Sequence, residues 1–86
     1  MAGKTSERIV TVIKELKAED MPDIEFTDKT NLVEDVGLDS LQTINLVLQL
    51  EDEFGIEIDF DEFDYELLLE FGKLIDYIDQ KVAANA

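Results

Sequence analysis

Three separate stretches of this chain space their apolar residues as helix faces, and no stretch alternates long enough to make a strand. Ile9, Val12, Ile13 and Leu16 follow the i, i+3, i+4, i+7 pattern of one helical face. Leu41, Ile44 and Leu48 make a second stripe, with Val47, Leu50 and Phe54 adjacent to it. Phe71, Leu74, Ile75, Ile78 and Val82 make a third. The one alternating step, Ile56-Glu57-Ile58, is too short for a sheet and has no partner strand. An all-α fold follows.

Local signals set the boundaries. Thr5 or Ser6 can cap the first helix, Glu7 suits its positive end, and Met21 before Pro22 is pushed out of the α region. The first helix is therefore expected over 5–19. Residues 20–38 lack periodicity, and their apolar members (Ile24, Phe26, Leu32, Val33, Val36, Leu38) would tie a long loop over the core. Asp39 reads as the N-cap of a helix over 40–54. Gly55 suits the left-handed position that ends it, with Ile56 closing a Schellman motif. A third helix, 61–69, would be capped by Asp59 or Asp61 and contain Phe63, Leu67 and Leu68. A fourth is expected over 72–83, with Gly72 marking a turn or kink and Ala83–Ala86 fraying. Together these make a four-helix bundle with one long loop between its first two helices, a single domain over 1–86.

Composition then removes whole classes of function. Asp and Glu number 22 against 7 Lys and Arg, a net charge of −15. Nucleic acid needs a basic face, and an anionic membrane surface repels such a chain, so neither is an expected partner. There is no Cys, hence no disulfide, thiolate or Cys-based metal site, and no His to serve as general base or zinc ligand. No metal site is expected. The 45% apolar content argues against disorder. No apolar run approaches the roughly 18–20 residues that span a bilayer. Met1-Ala2-Gly3-Lys4 leads into an amphipathic pattern without the apolar stretch of a secretory signal. The cytoplasm is the expected compartment, or an organelle matrix after processing.

The charge is unevenly distributed. Residues 1–19 carry a net charge of +1, whereas no Lys or Arg stands between Lys29 and Lys73 and thirteen acids do, ten of them from Glu51 to Glu70. Such a run is either a solvated face or a docking field for basic partners.

The stretch that carries chemistry is Glu34-Asp35-Val36-Gly37-Leu38-Asp39-Ser40-Leu41. Gly37 permits a tight entry, Asp39 caps, and Ser40 falls in the first turn, where free N–H groups and the helix dipole favour a phosphate. Ser40 does not read as a nucleophile. The hydrolase elbow G-x-S-x-G is not met, and no histidine exists to activate the hydroxyl. A serine modified by another enzyme, in a non-catalytic chain, is the reading that remains beside plain helix capping.

Thr30-Asn31-Leu32-Val33-Glu34-Asp35-Val36-Gly37-Leu38-Asp39-Ser40-Leu41 resembles the acyl carrier protein signature, and the resemblance extends through Glu51-Asp52-Glu53-Phe54 to Leu74-Ile75-Asp76-Tyr77-Ile78. It implies a carrier whose serine, here Ser40, receives 4′-phosphopantetheine from coenzyme A through a separate phosphopantetheinyl transferase and Mg²⁺. The arm's thiol would hold an acyl or aminoacyl group as a thioester, which suits a chain with no thiol of its own. Asp39 would cap the helix and present Ser40. Leu41 and Ile44 would touch partner enzymes, and Glu51, Asp52 and Glu53 would meet their basic patches. Leu50, Phe54, Ile58 and Leu67 could open around an acyl chain or simply pack the core. The carrier is expected to be a monomer. The alternative is a non-carrier acidic helical module that docks on a basic protein.

Fatty-acid-synthase carriers usually have acids two and five positions after the modified serine, where this chain has Gln42 and Asn45. The segment Asp59–Leu69 is longer and more aromatic than theirs, and no Ser or Thr caps the final helix. These departures point to a discrete carrier of a polyketide, aminoacyl or other specialised pathway. Asp59, Asp61, Asp64 and Glu66 do not make an EF-hand, because Phe63 falls at ligand position 5 and Asp64 where glycine is needed.

So small a chain buries only about 60–65% of its extended surface, and self-repulsion weakens it further. Raising NaCl, or adding millimolar Mg²⁺ or Ca²⁺, is expected to raise the melting temperature through screening and carboxylate bridging. A melting curve indifferent to both would contradict this.

Overall fold

The computed structural model describes residues 2–18, 23–59, 61 and 63–85, with the side chains of all but 2–4 and 85. Among these residues there are four helices and no strand: α1 (Ala2–Lys17), α2 (Ser40–Phe54), α3 (Glu66–Leu69) and α4 (Phe71–Asn85). α1 packs against both α2 and α4, and the single turn of α3 packs against α4. The apolar stripes meet in one core that includes Ile9 and Ile13 of α1, Leu46 and Leu50 of α2, and Leu74 and Ile78 of α4.

The long loop is a structural layer of its own. Leu32, Val36 and Leu38 are buried, while Ile24, Phe26 and Val33 pack against the core from its edge. Its backbone completes the α3–α4 junction. Leu32 N donates to Leu68 O at 2.7 Å, Phe71 N to Thr30 O at 2.9 Å, and Gly72 N to Asp28 O at 2.7 Å. The first N–H groups of a helix have no intrahelical acceptor. Here loop carbonyls satisfy those of α4, which explains how it begins without a Ser or Thr cap. Thr30 is buried and is held by Thr27, whose N–H donates to Thr30 Oγ1 at 2.7 Å.

α2 has the expected bounds. Gly55 sits at φ 64°, ψ 40°, and Ile56 N donates to Glu51 O at 3.1 Å, the Schellman closure.

Other boundaries differ from expectation. α1 starts at Ala2, so Thr5 and Ser6 lie inside it and do not cap it. Thr5 Oγ1 instead donates across to Asp79 Oδ1 of α4 at 2.5 Å. α1 ends at Lys17 because Ala18 turns into the left-handed region (φ 48°); the expected last residue, Glu19, lies outside the described residues.

α3 is much shorter than 61–69. Asp59 Oδ1 accepts from Asp61 N at 2.9 Å and Asp59 O from Phe63 N at 3.0 Å, and the described residues 59, 61 and 63 are not helical; residue 62 of the expected helix lies outside the described residues. Asp64 Oδ1 accepts from Glu66 N at 3.1 Å, and the helical turn starts only there. Phe63 packs edge-on against Tyr77 of α4, centroids 6.0 Å apart.

The break before α4 falls at Glu70, which is extended (φ −137°, ψ 115°), and Gly72 lies in the first turn of α4. That helix runs on through the segment expected to fray, as far as Asn85.

Gly72 is required by close approach. A Cβ there would lie 3.0 Å from Asp28 Cβ and 3.2 Å from Asp28 O. Overpacking costs about 1–3 kcal/mol, against at most ~1 kcal/mol gained in helix propensity. Gly72→Ala is therefore expected to lower the unfolding free energy by about 1 kcal/mol in a urea titration. An alanine variant at least as stable as the parent would mean that the loop is not pinned at Asp28.

Candidate functional site

The N-terminus of α2 is built by the loop that precedes it. Asn31 Oδ1 accepts from Val33 N and Glu34 N at 2.9 and 2.8 Å, while Asp35 Oδ2 accepts from Asn31 N at 2.9 Å. This closed turn leads to Gly37, whose φ of +86° suits only glycine well. Leu38 is buried and its N–H donates to Leu32 O at 3.1 Å. With Leu38 fixed inward, Asp39 and Ser40 emerge on the surface, both exposed.

Asp39 is the N-cap, in extended backbone. Its Oδ1 accepts from Gln42 N at 2.8 Å, and its own N–H donates to Gln42 Oε1 at 3.3 Å. This is a reciprocal capping box. Thr43 reinforces it, with N and Oγ1 both donating to Asp39 O at 2.9 and 2.8 Å. Of the four N–H groups a helix leaves without partners, the box satisfies those of Asp39 and Gln42. Those of Ser40 and Leu41 have no acceptor among the described residues and flank the Ser40 hydroxyl.

Gln42 thus has a role that its reading as a missing acid overlooked. The signal was present: an N-cap residue followed three positions later by Glu or Gln is the capping-box pattern. Lys17 was overlooked as well. From the end of α1 its Nζ donates to Gly37 O at 3.1 Å and, at 3.5 Å, to Gln42 Oε1. A contact twenty and more residues distant leaves no trace in local sequence pattern.

Beside Ser40 opens a cleft of about 470 Å³ walled by Val33, Leu38, Ile44, Tyr65 and Leu68. Leu50, Phe54, Ile58 and Leu67 do not line it; they pack in or against the core. Along α2, Leu41, Ile44 and Leu48 are 67%, 46% and 51% exposed, an apolar strip leading away from the serine. No residue from Ser40 to Leu50 is charged.

The three acids at the end of α2 are not equivalent. Glu51 is half-buried, and its Oε2 accepts from Ile58 N at 2.8 Å, holding the chain beyond the helix. Glu53 pairs with Arg8 of α1, Nε to Oε2 at 2.9 Å, while Arg8 Nη2 also donates to Glu53 O. The Arg8 guanidinium lies 4.2 Å from the Phe54 ring centroid, a cation–π contact at the negative end of the helix. Asp52 faces solvent, with no such tie among the described residues.

Removing the cap should loosen the whole arrangement. Asp39→Ala is expected to cost about 1 kcal/mol of unfolding free energy and Asp39→Asn a fraction of that. Urea midpoints of the parent and the two variants check this, and an Asp39→Ala midpoint equal to the parent's would mean that the cap contributes nothing.

Residues 7–78 match the family described as the phosphopantetheine attachment site. The chain is 31% identical over 78 residues to an acyl carrier protein of Thermotoga maritima, covering 88% of this chain and 94% of that protein. It is 37% identical over 78 residues to an acyl carrier protein of Guillardia theta, 91% of each chain. Over 62 residues it is 38% identical to acyl carrier protein 2, mitochondrial, of Arabidopsis thaliana, covering 72% of this chain and 48% of that one. With the match reaching from α1 into α4 and the four-helix architecture in place, the chain belongs to the acyl carrier protein family, whose prosthetic group is 4′-phosphopantetheine.

Proposed function

We propose that Ser40 carries the 4′-phosphopantetheine and that the chain presents acyl or aminoacyl groups to the enzymes of a biosynthetic pathway. The observation that carries this reading is an exposed hydroxyl in the first turn of α2, flanked by the unpartnered N–H groups of Ser40 and Leu41. Those donors and the helix dipole suit a phosphodiester. The apolar cleft beside Ser40 suits the arm and the first carbons of a cargo, so the residues present fit the group.

In the loading step, Ser40 Oγ bonds to the phosphorus that bears the pantetheine of coenzyme A. The phosphoanhydride bond breaks, adenosine 3′,5′-bisphosphate leaves, and the serine proton passes to a base of the transferase. This chain offers no histidine for that task. The bound group supplies a thiol, on which cargo travels as a thioester. The chain holds the serine in place and leaves the reactions to partners.

Leu41 and Ile44, extended by Leu48, form the proposed docking strip. Asp52 is proposed as the acid that meets basic groups on partners, while Glu51 and Glu53 are tied within the fold. An α2 uncharged as far as Leu50, together with the long acidic segment before α3, favours a discrete carrier of a polyketide, aminoacyl or other specialised pathway. Among the described residues no helix is long and apolar enough to cross a membrane. Action as a monomer in the cytoplasm is part of the proposal.

Incubation with coenzyme A, Mg²⁺ and a broad-specificity phosphopantetheinyl transferase should add one phosphopantetheine by intact mass, and Ser40→Ala should abolish the gain. A wild-type chain left unmodified by a transferase active on a control carrier would overturn this reading and favour a non-carrier docking module.

A further inference from the structure

Resting on that reading, we propose that Lys17 is a positioning residue for the modification of Ser40. No Lys or Arg occurs between Lys29 and Lys73, so the loop around the serine has acids of its own (Glu34, Asp35, Asp39) and no cation. Lys17 reaches it from the last turn of α1. Its ammonium donates to Gly37 O at 3.1 Å and to Gln42 Oε1 at 3.5 Å.

Both acceptors matter to the serine. Gly37 stands between the buried Val36 and Leu38 and is the most permissive backbone position before the helix, so a tie on its carbonyl limits the entry to one conformation. Gln42 Oε1 also accepts from Asp39 N at 3.3 Å. An amide can present either oxygen or nitrogen, and Asp39 N–H needs the oxygen. The ammonium is a donor only, so it selects the same face. Lys17 therefore adds a second donor to the amide oxygen that closes one half of the capping box, reinforcing the orientation that the long 3.3 Å bond from Asp39 N selects. The negative end of α1 favours a cation in its last turn, and among the described residues the two acceptors are what direct this ammonium toward the start of α2.

The test compares the parent chain with Lys17→Met, which keeps the aliphatic stem, and Lys17→Arg, which keeps a cationic donor. Backbone amide exchange at Asp39 and Gln42 is read by NMR on the unmodified protein. Kinetics of phosphopantetheine transfer are read by intact mass with the carrier as varied substrate. In Lys17→Met, exchange at both amides should rise about three- to tenfold and kcat should fall by a similar factor, the range set by one modest hydrogen bond. KM should stay within twofold, since Leu41 and Ile44 are untouched, and Lys17→Arg should restore both readouts. Exchange and kcat within twofold of the parent, a loss confined to KM, or no rescue by arginine would each overturn the role. If the parent chain is not modified at all, the carrier reading fails separately, and with it the role in modification. Amide exchange then decides whether Lys17 orders the turn.

Discussion

The rest of the fold depends on the backbone seam between the long loop and the α3–α4 junction. Three hydrogen bonds, from Leu32, Phe71 and Gly72 to Leu68, Thr30 and Asp28, fix the loop to both sides of the break at Glu70. Gly72 lies so close to Asp28 that a side-chain Cβ there would come within 3.0 Å of Asp28 Cβ. Without the seam, α4 would begin with unsatisfied N–H groups and α3, a single turn, would have little reason to persist. With it, Leu32, Val36 and Leu38 are held in the core, and Leu38 in turn sets where the chain emerges as Asp39 and Ser40. The proposed attachment site is thus positioned from the far side of the molecule.

At the near side, the same economy of donors and acceptors decides what the helix end can bind. The capping box consumes two of the free N–H groups of α2 and leaves the two at Ser40 and Leu41. A cap from a side chain beyond position 39 would have competed for the donors that a phosphodiester needs. Asp39, by accepting at the third helical residue, rigidifies the end while keeping its tip open.

How legible this was in the sequence varied with the range of the interactions. α2 could be bounded because its signals are local: Asp39 before the apolar stripe, and Gly55 with Ile56 after it. Ser40 was singled out for the same reason. α3 was overextended because Asp59 or Asp61 was read as its helix cap. In a segment this acidic, the carboxylates of Asp59 and Asp64 instead capture the N–H groups of Asp61 and Glu66 two residues on. The capping of α4 by Asp28 and Thr30, more than forty residues away, has no local signature. Nor do the ties of Arg8 to Glu53 and of Lys17 to Gly37, which depend on how α1 lies across the bundle.

Those ties change what the net charge of −15 can do. Glu53 is neutralised by Arg8, and Glu51 is committed to Ile58. α2 is uncharged from Ser40 to Leu50. The unpaired acids therefore stand beyond the helix face that carries Leu41, Ile44 and Leu48, not within it. Charges outside a contact steer approach and are screened by salt, whereas desolvated apolar area stabilises the bound state and is not. Partners of this carrier should meet it at a rate that falls with ionic strength. On the proposed docking at Leu41, Ile44 and Leu48, they should leave it at a rate set by that apolar strip, so that the acidity of the chain governs encounter and the uncharged part of α2, from Ser40 to Leu50, governs residence.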